Sequence, residues 1–141
     1  MKIVEIINYL EVETLLRVSS LPISDLESNN KVVYYGCYHN GQLISCVGLE
    51  KYANVALLRS LAVHPDFQNK GLALSLVQYV ESLYKAKQIS EIYLLTNTAE
   101  NFFLNRGYQI YKRADTPSVI KETSQFSEIC PSSSSLMRKI I

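Results

Sequence analysis

A change of hydrophobic period in mid-chain constrains this fold more than any other feature. Apolar and polar residues follow a period near two through three stretches, 31–38, 43–50 and 54–63, which suits consecutive strands. From residue 72 the period lengthens. Leu72, Ala73, Leu76, Val77, Val80, Leu83 and Tyr84 fall on one stripe, predicting an amphipathic helix over residues 71–87 with a single buried face. Residues 91–96 then form a short, mostly apolar run of the kind that fits a covered, parallel strand.

Around this switch the remaining elements fall into place. Residues 2–7 read as a strand and 9–19 as a helix stopped by Leu21-Pro22, with a helical turn expected near 24–28. A second helix is expected over 98–105, ended by a left-handed glycine at Gly107. Residues 108–113 and 134–140 read as closing strands, and 115–130 as a short helix and loop. The order meander, helix, strand, helix, strand, strand predicts one α/β domain over residues 1–141, with a mixed, mostly antiparallel sheet, flanking helices and a site at the strand ends. A length of 141 residues is enough for one independent core.

Composition narrows the function classes. Hydrophobic residues make up 48% and charged residues 19%, and the net charge is +1, so neither disorder nor a basic nucleic-acid-binding stripe is indicated. No apolar run approaches the length of a membrane span, and the first residues carry acids where a signal peptide is basic, so a cytoplasmic protein is expected. The three cysteines have no metal-ligand spacing. Asn40-Gly41 marks a two-residue hairpin turn. That turn would pair Cys37 with Ile44 and Cys46 with Tyr35. The thiols would then sit diagonally, about 7–8 Å apart, where a disulfide wants Cβ atoms about 4 Å apart. Free thiols are expected.

The chemistry-bearing stretch is LLRSLAVHPDFQNKGLA, residues 57–73, which places a loop between a strand and a helix start. Such a start exposes unpaired N–H groups at the positive end of the helix, an anion site. Gly71 permits close main-chain approach, and Lys70 adds a point charge suited to phosphate. A tight strand-to-helix turn would also account for these residues taken alone.

The run LRSLAVHPDFQNKGLALSLV resembles the acetyl-CoA-binding motif of the GNAT acetyltransferases, and the later TAENFFLNRGYQ resembles that family's second motif. The resemblance spans about residues 31–111. It implies a GNAT-like sheet with a central splayed parallel strand pair and acetyl-CoA as co-substrate, without a metal. Main-chain groups of Leu61, Ala62 and Val63 would then meet the pantetheine arm. The N–H groups from Gln68 through Asn69, Lys70, Gly71 and Leu72 to Ala73 would hold the pyrophosphate. An N–H near Leu61 would face the developing oxyanion.

Two departures from the family pattern stand out. Phe103 occupies the position where members often carry a tyrosine that protonates the departing thiolate, and Thr96, beside Asn97, replaces a frequent asparagine. Losing that acid is tolerable. A thiol of pKa about 8.5 leaving unprotonated at pH 7 costs only about 2 kcal/mol, and positioned acids contribute about 10² to 10⁴ in rate.

Glu50, at a strand end near the expected gap, is the candidate base, and a solvated strand-end carboxylate is the plainer reading. Arg59 on the central strand is costly to bury unpaired, so a substrate carboxylate or an internal salt bridge should satisfy it. His64 reads as a turn residue, Phe102 as core, and Tyr34, Tyr35 and Tyr38 as sheet packing or pocket lining. Cys130 has no visible base partner.

The segments GLEKYANVALLRSLAVHP, LLTNTAENFFLNRGYQ and ICPSSSSLM resemble acetyltransferases associated with arsenic-resistance gene clusters, and LLTNTAENFF and SSLM also resemble the acetyltransferase portion of N-acetylglutamate synthases. Both resemblances imply a small amine acceptor of amino-acid type, while charge and hydropathy lead us to expect no nucleic acid or membrane as partner. A protein or peptide N-acetyltransferase and a non-catalytic acyl-CoA sensor are the alternatives. A homodimer through sheet edges would cover exposed strands.

Overall fold

A computed structural model describes residues 2–21, 31–126 and 134–141. The elements run β1 (Val4–Ile6), α1 (Tyr9–Val18), β2 (Val32–His39), β3 (Gln42–Tyr52), β4 (Val55–Val63), α2 (Leu72–Ala86), β5 (Glu91–Thr96), α3 (Glu100–Leu104), β6 (Gln109–Ile110), α4 (Ser118–Lys121) and β7 (Ser135–Ile140). The expected turn near 24–28 and Cys130 lie outside the described residues.

The strands form one seven-stranded sheet in the order β1-β2-β3-β4-β5-β7-β6. All neighbours are antiparallel except β4 and β5, joined by α2 in a parallel crossover. Period-two alternation sends neighbouring side chains to opposite faces. On one face Leu49, Ala56, Leu58, Ile92 and Leu94 meet Leu76, Val77, Val80 and Tyr84 of α2. The other face is covered twice, by Val12, Leu15 and Leu16 of α1 over Tyr34, Cys46 and Ala62, and by Ile120 of α4 against Leu57, Tyr93 and Leu136.

Two ladder irregularities matter. The hairpin turn is as expected, with Asn40 and Gly41 at φ 50° and 78° and His39 opposite Gln42. A bulge between Cys37 and Tyr38 then slides the register by one, so Cys37 faces Ser45, Gly36 faces Cys46, and Tyr35 faces Val47. The expected pairing of Cys37 with Ile44 is thereby corrected. The one-residue slip sends the two thiols to opposite faces, and both are free. The second irregularity lies in β4. Arg59 faces Gly48 and Ala62 faces Cys46, leaving Ser60 and Leu61 opposite Val47 alone.

The closing strand expected over 108–113 is only Gln109–Ile110, because a 3-10 turn at Arg113–Asp115 takes the chain out of the sheet. Gly36 tests the tightness of the hairpin. A Cβ built there would lie 2.1 Å from the Ser45 carbonyl oxygen and 2.8 Å from Ile6 Cδ1. Gly36→Ala should therefore cost about 2 kcal/mol of stability, in the range of overpacked sites. An unchanged urea midpoint would show that the β2–β3 pairing can slide to admit a methyl group.

Candidate active site

The site originates where β4 and β5 part. Their parallel pairing covers only Val55 to Leu57 against Glu91 to Tyr93. Beyond it β4 stays with β3 as far as Val63, and β5 stays with β7 as far as Thr96. Each strand is held by its outer neighbour, so the two diverge. A cavity of about 410 Å³ opens beside the divergence, lined by Ser19 and Ser20 at the end of α1, by Arg59 to Leu61, by residues 94–99, by Phe103 and by Gln125. A cleft of about 720 Å³ continues past Val63, Gln68 and Asn69 to Gly71, Leu72 and Ala73. Leu61, Thr98 and Ala99 border both.

The far end of the cleft is a helix start that offers only main chain. Gly71 precedes α2 at φ 79°, and no side chain caps the helix or places an acid in its first turn. The first intrahelical bond runs from the Ser75 N–H to the Gly71 carbonyl, so the N–H groups of Leu72, Ala73 and Leu74 precede the helical ladder. A Cβ at Gly71 would meet nothing within 4 Å. Glycine is needed for the left-handed backbone there, and the space in front of it is open. Asn69, also left-handed at φ 63°, tightens the same loop. Lys70 is exposed and does not line the cleft. The Gln68 side chain instead donates to the Val63 carbonyl at 3.3 Å.

Glu50 differs from both of its expected readings. It is neither solvated nor among the residues lining the cavity. Its Oε2 accepts from the Arg59 guanidinium at 3.1 Å, with both side chains fully buried, and its Oε1 accepts from the Tyr52 hydroxyl. The reason is topological. Glu50 faces Leu57 across the ladder, and Arg59 lies two residues further on the same face of β4, so the carboxylate and guanidinium meet under the sheet. Of Arg59's two expected partners, the internal one is present.

The remaining expected residues take varied places. The Thr96 hydroxyl accepts from the Ala99 N–H at 3.0 Å and holds the turn into α3. The Asn97 side-chain amide oxygen Oδ1 accepts from the Ser134 hydroxyl at 2.8 Å. Phe103 is buried edge-on to Tyr108 and also lines the cavity. His64 accepts through Nδ1 from the Asp66 N–H, a turn-capping role.

Sequence reasoning missed Ser19, Ser20, Ser60 and Gln125. The first two end α1, and Gln125 is buried in a stretch without periodicity. Ser60 carries no local mark of its left-handed φ of 55°. The buried Ser19 hydroxyl finds no partner among the described residues and borders the cavity.

Residues 5–108 match the acetyltransferase (GNAT) family model. The chain is 28% identical over 117 residues to an amino-acid acetyltransferase of Pasteurella multocida, covering 82% of this chain and 26% of that protein. It is 32% identical over 83 residues to an uncharacterized N-acetyltransferase of Chlorobaculum tepidum, covering 58% and 53% respectively. The chain thus spans about a quarter of the first relative and about half of the second. Among solved structures it is similar to the N-acetylglutamate synthase of Neisseria gonorrhoeae complexed with coenzyme A and N-acetyl-glutamate. The TM-score is 0.78 at 17% identity, over 99% of this chain and 35% of that one.

The buried ion pair makes a direct prediction. Glu50→Ala should destabilise the fold by about 3 kcal/mol, because it strands a buried guanidinium. Pairing it with Arg59→Met should recover most of that loss. Urea denaturation of the two variants beside the parent checks it, and a Glu50→Ala protein as stable as the parent would mean that Arg59 escapes to solvent.

Proposed function

The chain belongs to the GNAT acetyltransferase family, and from that premise we propose that it moves the acetyl group of acetyl-CoA to the amino group of a small, carboxylate-bearing acceptor such as an amino acid or an amino-acid-like toxin. The carrying observation is the pair of connected spaces. One ends on the uncapped start of α2, and the other is a small cavity of mixed apolar and polar lining whose only charged lining residue, among the described residues, is Arg59. The acceptor class is also that named for the Pasteurella relative.

The residues present suit a pyrophosphate-bearing co-substrate. The three residues whose N–H groups precede the ladder of the fifteen-residue helix α2 line the cleft, and no acid stands in the first turn to repel an anion. In this assignment Leu61, Ala62 and Val63 border the pantetheine arm, and the segment Gln68, Asn69, Lys70, Gly71, Leu72 and Ala73 surrounds the phosphates. The thioester lies at the junction shared by Leu61, Thr98 and Ala99, between the two spaces.

The step is a direct displacement. The acceptor's neutral nitrogen attacks the thioester carbonyl carbon, and the carbonyl oxygen gathers charge toward the Leu61 N–H. The C–S bond then breaks, the nitrogen loses its proton to water, and the thiolate leaves. Phe103 has no proton to give, so water protonates the sulfur at the modest cost set by a thiol's pKa.

Arg59 draws the acceptor carboxylate into the cavity. Glu50 anchors Arg59, a reading its burial and two engaged oxygens favour over that of proton acceptor. Ser19, Ser20 and Gln125 supply the remaining polar contacts. A cavity of about 410 Å³ suits a small molecule.

Release of free CoA thiol tests this, with acetyl-CoA offered alongside amino acids, their phosphinic analogues, polyamines and short peptides. Amino-acid-dependent release is expected. Release with peptides alone would point to a protein acetyltransferase, and acetyl-CoA binding without release to a sensor. Arg59→Lys should raise the acceptor KM about tenfold or more while leaving CoA affinity unchanged, since a lysine cannot reproduce the two-pronged contact. Equal loss of both would make the arginine purely structural. Glu50→Gln should weaken acceptor binding evenly across pH, whereas a rate loss confined to low pH would restore it as the proton acceptor.

A further inference from the structure

The bulge in β4 poses a local problem of hydrogen bonding. Ser60 and Leu61 share a single opposite residue, and Ser60 turns left-handed at φ 55°. Such a bulge takes main-chain groups out of the ladder, and a buried carbonyl there needs a partner from elsewhere. That partner is a side chain of the neighbouring strand. Cys46 Sγ lies 3.3 Å from the Ser60 carbonyl oxygen.

Several features make this thiol a dependable donor. Cys46 is wholly buried on β3 opposite Ala62. Burial pushes its thiol up to about 12, against a smaller opposing effect of an Ala62 main-chain hydrogen bond. It therefore keeps its proton at any ordinary pH. The Ser60 side chain is held separately, by a 3.2 Å hydrogen bond from Arg59 Nε to its hydroxyl. The bulge is gripped through its carbonyl and through its side chain.

The peptide group joining Ser60 to Leu61 is planar, and in a trans peptide the C=O and N–H point in opposite directions. A carbonyl turned toward the Cys46 thiol consequently sends the Leu61 N–H the opposite way, away from that thiol. Leu61 is one of three residues bordering both the cavity and the cleft. We infer that Cys46 is a positioning residue, whose S–H···O=C bond to Ser60 aims the Leu61 N–H at the thioester carbonyl oxygen. This rests on the acetyl-transfer reading for what the N–H meets. A thiol is a weak donor, so the effect appears in direction rather than in stability.

The carbonyl stretch of bound acetyl-CoA, carrying ¹³C at the acetyl carbonyl, reads that direction without needing an acceptor. On the wild-type protein the band should fall below its frequency in free acetyl-CoA. In Cys46→Ala and Cys46→Val, which lack a donor at two different volumes, it should move back toward the free value. Cys46→Ser keeps a donor and should restore most of the shift, even if its Tm is lower than that of the valine variant. With an identified acceptor, kcat should fall about tenfold in the two donorless proteins while CoA affinity holds. That is smaller than the 10² to 10³ lost when an oxyanion donor is removed outright.

An unshifted band on wild-type protein, or no acetyl-CoA binding, would remove Leu61 as the donor and the inference with it. A normal wild-type shift that survives unchanged in both donorless variants would overturn the role of Cys46 alone. Rates that track Tm across all three variants would do the same.

Discussion

Three residues of parallel pairing between β4 and β5 govern the rest of this structure. Each strand is bound along nearly its whole length to its outer neighbour, β4 to β3 and β5 to β7. The sheet therefore keeps most of its hydrogen bonds while its centre opens. Antiparallel partners on both flanks make the opening affordable, and α2 covers only one face of it. The residues assigned to the acceptor and the thioester border this gap, and the helix start assigned to the phosphates closes the far end of the adjoining cleft.

Much of this was legible because it depends on period and turn chemistry. The switch from period two to three and a half located α2 nearly to the residue, and Asn40-Gly41 located the hairpin tip. Register was harder. A bulge changes which residues face each other without changing how apolar either strand is. Gly36 stood beside the first bulge as an available sign, since an isolated glycine within a strand often accompanies one. Ser60 offered no such sign. Its left-handed backbone follows from the mismatch between β3 and β4, a property of two strands together.

The same limit applied to the charged residues. A carboxylate at the end of an apolar strand looks solvent-bound in one dimension, yet Glu50 is drawn beneath the sheet by Arg59, nine positions along the chain. Thr96 and Asn97 line the cavity beside the gap, and their hydrogen bonds reach Ala99 and Ser134, which the family pattern did not indicate. The latter bond ties the end of β5 to the chain entering β7, thirty-seven positions away. A pattern read from the family supplies positions, and only the packed chain supplies partners.

The start of α2 has a consequence for how such a protein diverges. A grip formed by main-chain amides asks for one glycine and a helix, and otherwise leaves the identity of its side chains unconstrained. If the proposed phosphate grip is right, lineages could overwrite nearly everything around it and keep it, and a TM-score of 0.78 at 17% identity shows that the fold itself withstands that much substitution. The opposite wall is written in side chains, Ser19, Arg59 and Gln125 among them. On the proposed assignment, drift on that wall would change what is acetylated, so one half of the molecule could stay constant while the other explores new chemistry.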